Sequence, residues 1–345
     1  MAANGSISIP PTSNRGGKSQ TDLTTATVID FCSFTIHERQ LGEGREDRAW
    51  CLEQFYLGDD GTQHVLLSEF LEDLCGDVGL TLARERRGFL HFYDHHFQIF
   101  GRDGKRCGFA AFGGESQKST VNVQLTGAAC AHVEAWAHVA LRLSHYSARL
   151  TRVDVAFDDL RGLHDLCEVE RMYEGGKFSA HGRPPALQRQ GWEDGSGRSI
   201  YVGKDRAHQQ LCVYEKGREQ GARDDSDLSK WVRWEARFGA AYRVIPVDIL
   251  TRPADFMRGQ YEALYFVRGD GERIATDRGS AESNFVSALR HSKQQCGRFL
   301  LSVRSVLDDD ADFLDFVNRE LVGSKLPDWF AFNPAASPVV RECVT

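Results

Sequence analysis

The chain has 345 residues, 41% hydrophobic and 26% charged, with a formal net charge of −7 at pH 7. That balance belongs to a globular protein of one large or two intimate domains, and mildly disfavours a nucleic-acid partner, whose phosphates favour basic surfaces. No run of about 18 apolar residues exists, which excludes a conventional membrane-spanning helix.

Residues 1–24, MAANGSISIPPTSNRGGKSQTDLT, carry no apolar signal segment and are expected to form a disordered tail, having too little apolar surface to offset the entropy of ordering. ATVIDFCSFTI (26–36) is rich in β-branched and aromatic residues and predicts a first strand. The helical spacing of VLLSEFLEDLCGDVGL (65–80) predicts a helix. FLHFYDHHFQIFG (89–101) and CGFAAFGG (107–114) read as strands joined by a turn at 102–105. VNVQLTG (121–127) alternates as a strand, and CAHVEAWAHVALRLSHYSARL (130–150) predicts one long amphipathic helix. Strands follow at 151–159, 198–204, 210–217 and 230–238, and helices at 284–306 and 312–321. No internal repeat stands out. This order, with hairpin-length connections, predicts an α+β fold: a curved, mainly antiparallel sheet flanked by helices, with a helical C-terminal part. The expected division is a domain over 25–252 and a mostly helical part over 253–345 packed on it.

Nine scattered cysteines show no C-x-x-C pair and no zinc spacing, so they read as reduced thiols of a cytosolic protein. His95 and His96 are adjacent on a predicted strand and point to opposite faces, so they cannot easily share an ion. Basic residues concentrate mid-chain, at Arg183, Arg189, Arg198, Lys204, Arg206, Lys216, Arg218, Arg233, Arg237 and Arg243. Since binding depends on where charges sit, this local pattern keeps DNA in view despite the acidic total.

Three strands share a feature that a plain core does not need. In TRVDVAFDD, alternation sets Asp154, Ala156 and Asp158 on one face; in QLCVYEKG it groups Cys212, Tyr214 and Lys216; in KWVRWEARF it groups Arg233, Glu235 and Arg237. If these strands are neighbours, one solvated polar face presents carboxylates, a tyrosine, a lysine and arginines. Two carboxylates suit Mg²⁺ or Mn²⁺, a tyrosine hydroxyl can attack phosphorus, and arginines hold phosphates. A solvated sheet face with ordinary charge pairs is the competing structural reading.

The segments TRVDVAFDD, SIYVGK, VYEKG and WVRWEARF, in this order, resemble the replication initiation factor family of rolling-circle plasmids and filamentous phages, which also includes conjugative relaxases. The softer likeness spans about residues 26–305. The resemblance implies a metal-dependent enzyme that nicks one strand of origin DNA through a covalent 5′-phosphotyrosine. It assigns the nucleophile to Tyr214 with Lys216 beside it, and the metal ligands to Asp154 and Glu235, Asp30 being a weaker candidate. Arg233, Arg237, Lys204 and Arg206 are the expected DNA contacts. Tyr201 is the rival tyrosine, and Cys212 stands where many members have arginine. The implied cofactor is Mg²⁺ or Mn²⁺. The implied partners are a single-stranded or hairpin nick site in origin DNA and a host helicase and polymerase, because no nucleotide-binding loop is present. No membrane is involved, a dimer is left open, and the setting is the cytoplasm of a bacterial host. A mobile-element relaxase and a catalytically inert origin-binding regulator are the alternatives.

Overall fold

The computed structural model describes residues 27–324, apart from 77–78, 86–92, 115–116, 118, 180–183, 193–196, 205–207, 224–225, 242, 275–280 and 308. The tail expected over 1–24 lies outside the described residues. The chain divides into two compact units, Met1–Ala275 and Thr276–Thr345.

Ten strands of the first unit form one sheet in which every neighbouring pair is antiparallel, in the order β2-β3-β4-β5-β1-β6-β10-β9-β8-β7. In chain order they are β1 (Thr27–His37), β2 (Thr81–Glu85), β3 (His95–Phe100), β4 (Arg106–Phe112), β5 (Thr120–Leu125), β6 (Arg149–Asp159), β7 (Leu187–Gln190), β8 (Ser199–Val202), β9 (Gln209–Tyr214) and β10 (Val232–Gly239). The expected α+β class with an antiparallel sheet is the one observed. The sheet is built twice over. A long strand, β1 or β6, leads through helix to a four-strand meander, whose last strand, β5 or β10, returns to pair with that long strand. β1 and β6 then join the halves as an antiparallel pair. The repeat is one of topology, which is why the sequence shows none.

One face of the sheet carries Phe34, Ile36, Val123, Val153, Val155 and Trp234, all buried in a single apolar core. Helices α1 (Arg48–Leu57), α2 (Asp60–Cys75) and α4 (Trp136–His145) cover the first half of it. Phe70 of α2 meets Phe34 at 6.3 Å between ring centroids, Phe55 of α1 meets Phe112 at 5.0 Å, and Tyr146 meets Phe70 at 5.1 Å. Over the second half lie α5 (Leu166–Glu174), α7 (Pro253–Gln260) and the turn holding Phe266, whose ring lies 5.4 Å from Phe157 and 5.0 Å from Trp234. Phe256, Met257 and Leu264 are fully buried in this core, so the first unit runs past the boundary expected at 252.

The long helix expected over 130–150 is instead a short α3 (Gly127–Cys130), then α4, then the start of β6. Ser147 takes a left-handed φ of 49°, and Ala148 N–H closes back onto Leu143 O at 2.8 Å, which ends α4. Arg149 and Leu150 then pair with Thr35 and Phe34. Sheet pairing overrides helical periodicity here. Helix α1 and the edge strands β2 and β7 are absent from the sequence reading. In the second unit, α8 (Ala281–Arg304) and α9 (Asp310–Glu320) meet through Phe299 and Phe316, and the Asp309 side chain caps α9. No described helix is long and apolar enough to cross a membrane.

Candidate active site

The strands that carry the sequence constellation are consecutive in the sheet: β6, β10, β9, β8. Across them Arg237 stands opposite Asp154 and Gln210, and Glu235 opposite Ala156 and Cys212. Arg233 stands opposite Asp158 and Tyr214, and Tyr201 opposite Cys212. Directly opposed residues share a face, so the grouping read from alternation holds. It is the face opposite the apolar core.

The sequence reading expected this face to be solvated, but its central residues are buried. Asp154 is 2% exposed, Glu235 7%, Arg233 2% and Cys212 2%. Burial at this cost requires pairing, and the arginines supply it. Arg152 donates to both oxygens of Asp154, its Nε at 2.8 Å. Arg237 Nε lies 2.8 Å from Glu235 Oε1 and 3.9 Å from Asp154 Oδ2, so one guanidinium stands between two carboxylates. Burial still pushes the Asp154 carboxyl up to about 6; the Arg152 hydrogen bond opposes this and the neighbouring Glu235 charge adds to it.

Arg233, expected as a DNA contact, is buried as a brace between carboxylates. Its Nε and Nη2 donate to the two oxygens of Asp158 at 2.8 and 2.9 Å, and its Nη1 to Asp30 at 2.8 Å. Trp231 Nε1 also donates to Asp158, at 2.6 Å. A register shift between Ile29 and Phe31 marks a bulge at Asp30 in β1; Asp30 thus ties β1 to β10. The second aspartate of RVDVAFD and the arginine of RWE are therefore one interstrand ion pair.

Tyr214 ends β9 on the wall of a pocket that Tyr201, Glu215, Arg198, Glu235 and Arg237 also line. Burial first, then the Glu235 charge, pushes the Tyr214 hydroxyl far above its ordinary range, against a smaller pull from Arg233. Lys216 is not on the strand, as alternation implied. It opens the single-turn helix α6 (Lys216–Glu219), where its Nζ lies 2.6 Å from Glu219 and 5.5 Å from the Tyr214 ring centroid. The turn still brings it to the tyrosine. Tyr201, the rival tyrosine, faces the same pocket.

Glu215, Arg198 and Arg152 were not among the expected site residues. Glu215 leaves the strand register and accepts the backbone N–H of Arg198 at 2.8 Å and its guanidinium at 2.8 Å. Burial pushes the Glu215 carboxyl up, but Arg198 outweighs it and holds it below its ordinary value. Arg152 had a legible signal, sitting two residues before Asp154 on the same alternation face.

Among the described residues, most of the mid-chain basic cluster is paired within the fold. Arg189 pairs with Glu170, Arg198 and Arg218 with Glu215, Lys216 with Glu219, Arg233 with Asp158, and Arg237 with Glu235. Arg243 is buried against the carbonyls of Gly239 and His208. Of the expected DNA contacts, Lys204 is exposed, while Arg206 lies outside the described residues. His95 is exposed and His96 buried, on opposite faces of β3 as expected.

Fold and site together define an α+β protein with tyrosines, carboxylates and arginines on one face of an antiparallel sheet. Residues 148–267 match the family model described as replication initiation factor. The resemblance read from the sequence therefore holds for the segment from β6 to the turn after α7. Among solved structures, the chain is similar to a rolling circle replication initiator protein from Geobacillus stearothermophilus. The two are 17% identical with a TM-score of 0.45, over 65% of this chain and 78% of that one. No curated protein matches.

Proposed function

We propose that this protein initiates rolling-circle replication by nicking one strand of origin DNA, with Tyr214 as the nucleophile. The observation that carries the reading is the shared face of Tyr214, Glu235 and Asp154 inside the segment that matches the replication initiation factor model. Tyr214 attacks the scissile phosphorus, its phenolic oxygen bonds to phosphorus, and the 3′ oxygen leaves with a proton. A 5′-phosphotyrosine and a free 3′-OH result, the latter a primer for a host polymerase. Lys216 stands beside the Tyr214 ring, and Arg237 and Arg198, which line the pocket, would hold the phosphates of an entering strand.

A divalent ion fits the residues present. The donors are two hard carboxylates, Asp154 and Glu235, with the Arg237 guanidinium between them. Such a sparse set is the kind Mg²⁺ or Mn²⁺ accepts, keeping its waters. Asp154 and Glu235 would hold the ion, which when bound polarises the phosphoryl oxygens and neutralises charge developing on them. With the Tyr214 hydroxyl pushed so far up, the phenolate needs added positive charge nearby.

The test is incubation with end-labelled single-stranded oligonucleotides tiling the replicon that carries the gene, in Mg²⁺, Mn²⁺ or EDTA. Metal-dependent cleavage with protein attached to the 5′ end is expected. A protein that binds such DNA but never cuts it would be the inert regulator instead. Conjugative and replicative use share this chemistry, and the role of the nicked element separates them.

A further inference from the structure

Two tyrosines, not one, flank the Glu235 carboxylate. Tyr201 stands directly opposite Cys212, and Cys212 directly opposite Glu235. Tyr214 lies two residues along β9 from Cys212, on the same face and in the same pocket. The two tyrosines are thus diagonal cross-strand neighbours, with Cα atoms about 7–8 Å apart. Each ring also has its own cation. The Lys216 ammonium is 5.5 Å from the Tyr214 centroid, and the Arg237 guanidinium is 5.7 Å from that of Tyr201.

We infer that Tyr201 is a second DNA-accepting hydroxyl of this site, so that one chain can hold two strand ends covalently at once. The inference rests on the proposed nicking function and extends it. Both phenols feel the charge of Glu235. Burial first, then Cys212, pushes the Tyr201 hydroxyl up to about 12, against a smaller pull from Arg237.

The chemistry closes without a further reactant. With Tyr214 already esterified, the Tyr201 oxygen bonds to the phosphorus of a second scissile phosphate. The P–O3′ bond breaks, and the phenolic proton ends on the departing 3′ oxygen. That new 3′-OH can attack the Tyr214 phosphotyrosine. A P–O bond to the 3′ oxygen forms, the bond to Tyr214 breaks, and the proton returns to Tyr214. One strand is thereby joined to itself and the site is left loaded through Tyr201. This is the ending that a rolling-circle round requires, and it needs no second protomer.

The competing reading makes Tyr201 a half-buried wall of the pocket. The full chain is incubated with limiting and then excess oligonucleotide bearing the nicked sequence, run on a denaturing gel, and its peptides mapped by mass spectrometry. Limiting DNA should give one retarded band with the adduct on Tyr214. Excess DNA should add a second, slower band whose single chains carry adducts on both Tyr214 and Tyr201. Tyr201→Phe should reduce that doubly loaded species at least tenfold relative to the singly loaded one. Wild-type protein that never exceeds one adduct per chain, or double loading that persists in Tyr201→Phe, overturns the inference and leaves the nicking function standing. An absence of any tyrosine adduct overturns the nicking function itself.

Discussion

Tyr214 and Arg233 are cross-strand partners with opposite kinds of work, and substitutions should separate them. Tyr214→Phe keeps the ring on the pocket wall and removes only the hydroxyl. It should abolish covalent attachment while shifting thermal stability little, which a denaturing gel and a melting curve check together. Arg233→Ala leaves Asp158 and Asp30 without their shared cation, and Asp158 is 4% exposed. Removing one partner of such a buried pair costs about 3–5 kcal/mol, so urea unfolding should shift strongly while exposed Lys204→Ala leaves it in place. Cys212 raises a different question, since its position in the sequence pattern invites an arginine. The thiol is buried opposite Glu235, where the Arg237 guanidinium already pairs with that carboxylate. Burial, then the Glu235 charge, pushes the thiol up to about 12. Cys212→Arg should therefore overpack the site and cost about 1–3 kcal/mol, seen as a lowered melting temperature with no gain in DNA affinity.

At the scale of elements, the motif glycines explain why short motifs mark this site. Gly217 follows Lys216 in VYEKG, and a Cβ there would lie 1.8 Å from Leu228 O, while its N–H donates to Trp231 O. Its bareness lets α6 press against the segment leading into β10, and so sets Lys216 beside Tyr214. Gly203 in YVG has a φ of +103°, and a Cβ would meet Gln209 O at 3.0 Å, where β8 turns toward β9. Gly217→Ala should lift α6 away, lowering both nicking rate and stability. A variant with full nicking activity would show that Lys216 does not depend on this contact. Strand alternation and register were legible because a period of two assigns faces unambiguously. Lys216 was misplaced because alternation was carried one turn past the end of the strand. The helix over 130–150 was misread because β1 pairing claims Arg149 and Leu150, a tertiary demand absent from local periodicity. The solvated face was misread for a related reason: alternation says which residues share a face, not whether arginines fold over it. Edge strands β2 and β7 are short, and Leu187–Gln190 offers almost no apolar alternation to read.

For the whole molecule, charge is the decisive quantity. Most described members of the basic cluster are paired with carboxylates, so the net −7 is closer to what DNA meets than the cluster suggested. Binding to single-stranded DNA should then show a shallow salt dependence, with log K falling by about 0.7 per neutralised phosphate in each tenfold step of salt. Lys204→Ala should reduce that slope by about one contact if the exposed lysine reaches the backbone. Fluorescence anisotropy over a salt series measures both. The doubled topology of the sheet concentrates chemistry in one half. The faces of β4 and β5 that correspond to the site carry Phe109, Ala111, Asn122 and Gln124, with no carboxylate. The central claim is a tyrosine nucleophile served by Asp154 and Glu235. It is tested most directly by mapping the covalent adduct formed with a labelled origin oligonucleotide in Mg²⁺ or Mn²⁺, for wild type, Asp154→Asn and Glu235→Gln. The account predicts an adduct on Tyr214 in wild type that disappears in EDTA and in both variants. Undiminished cleavage in EDTA, or by both variants, would contradict it.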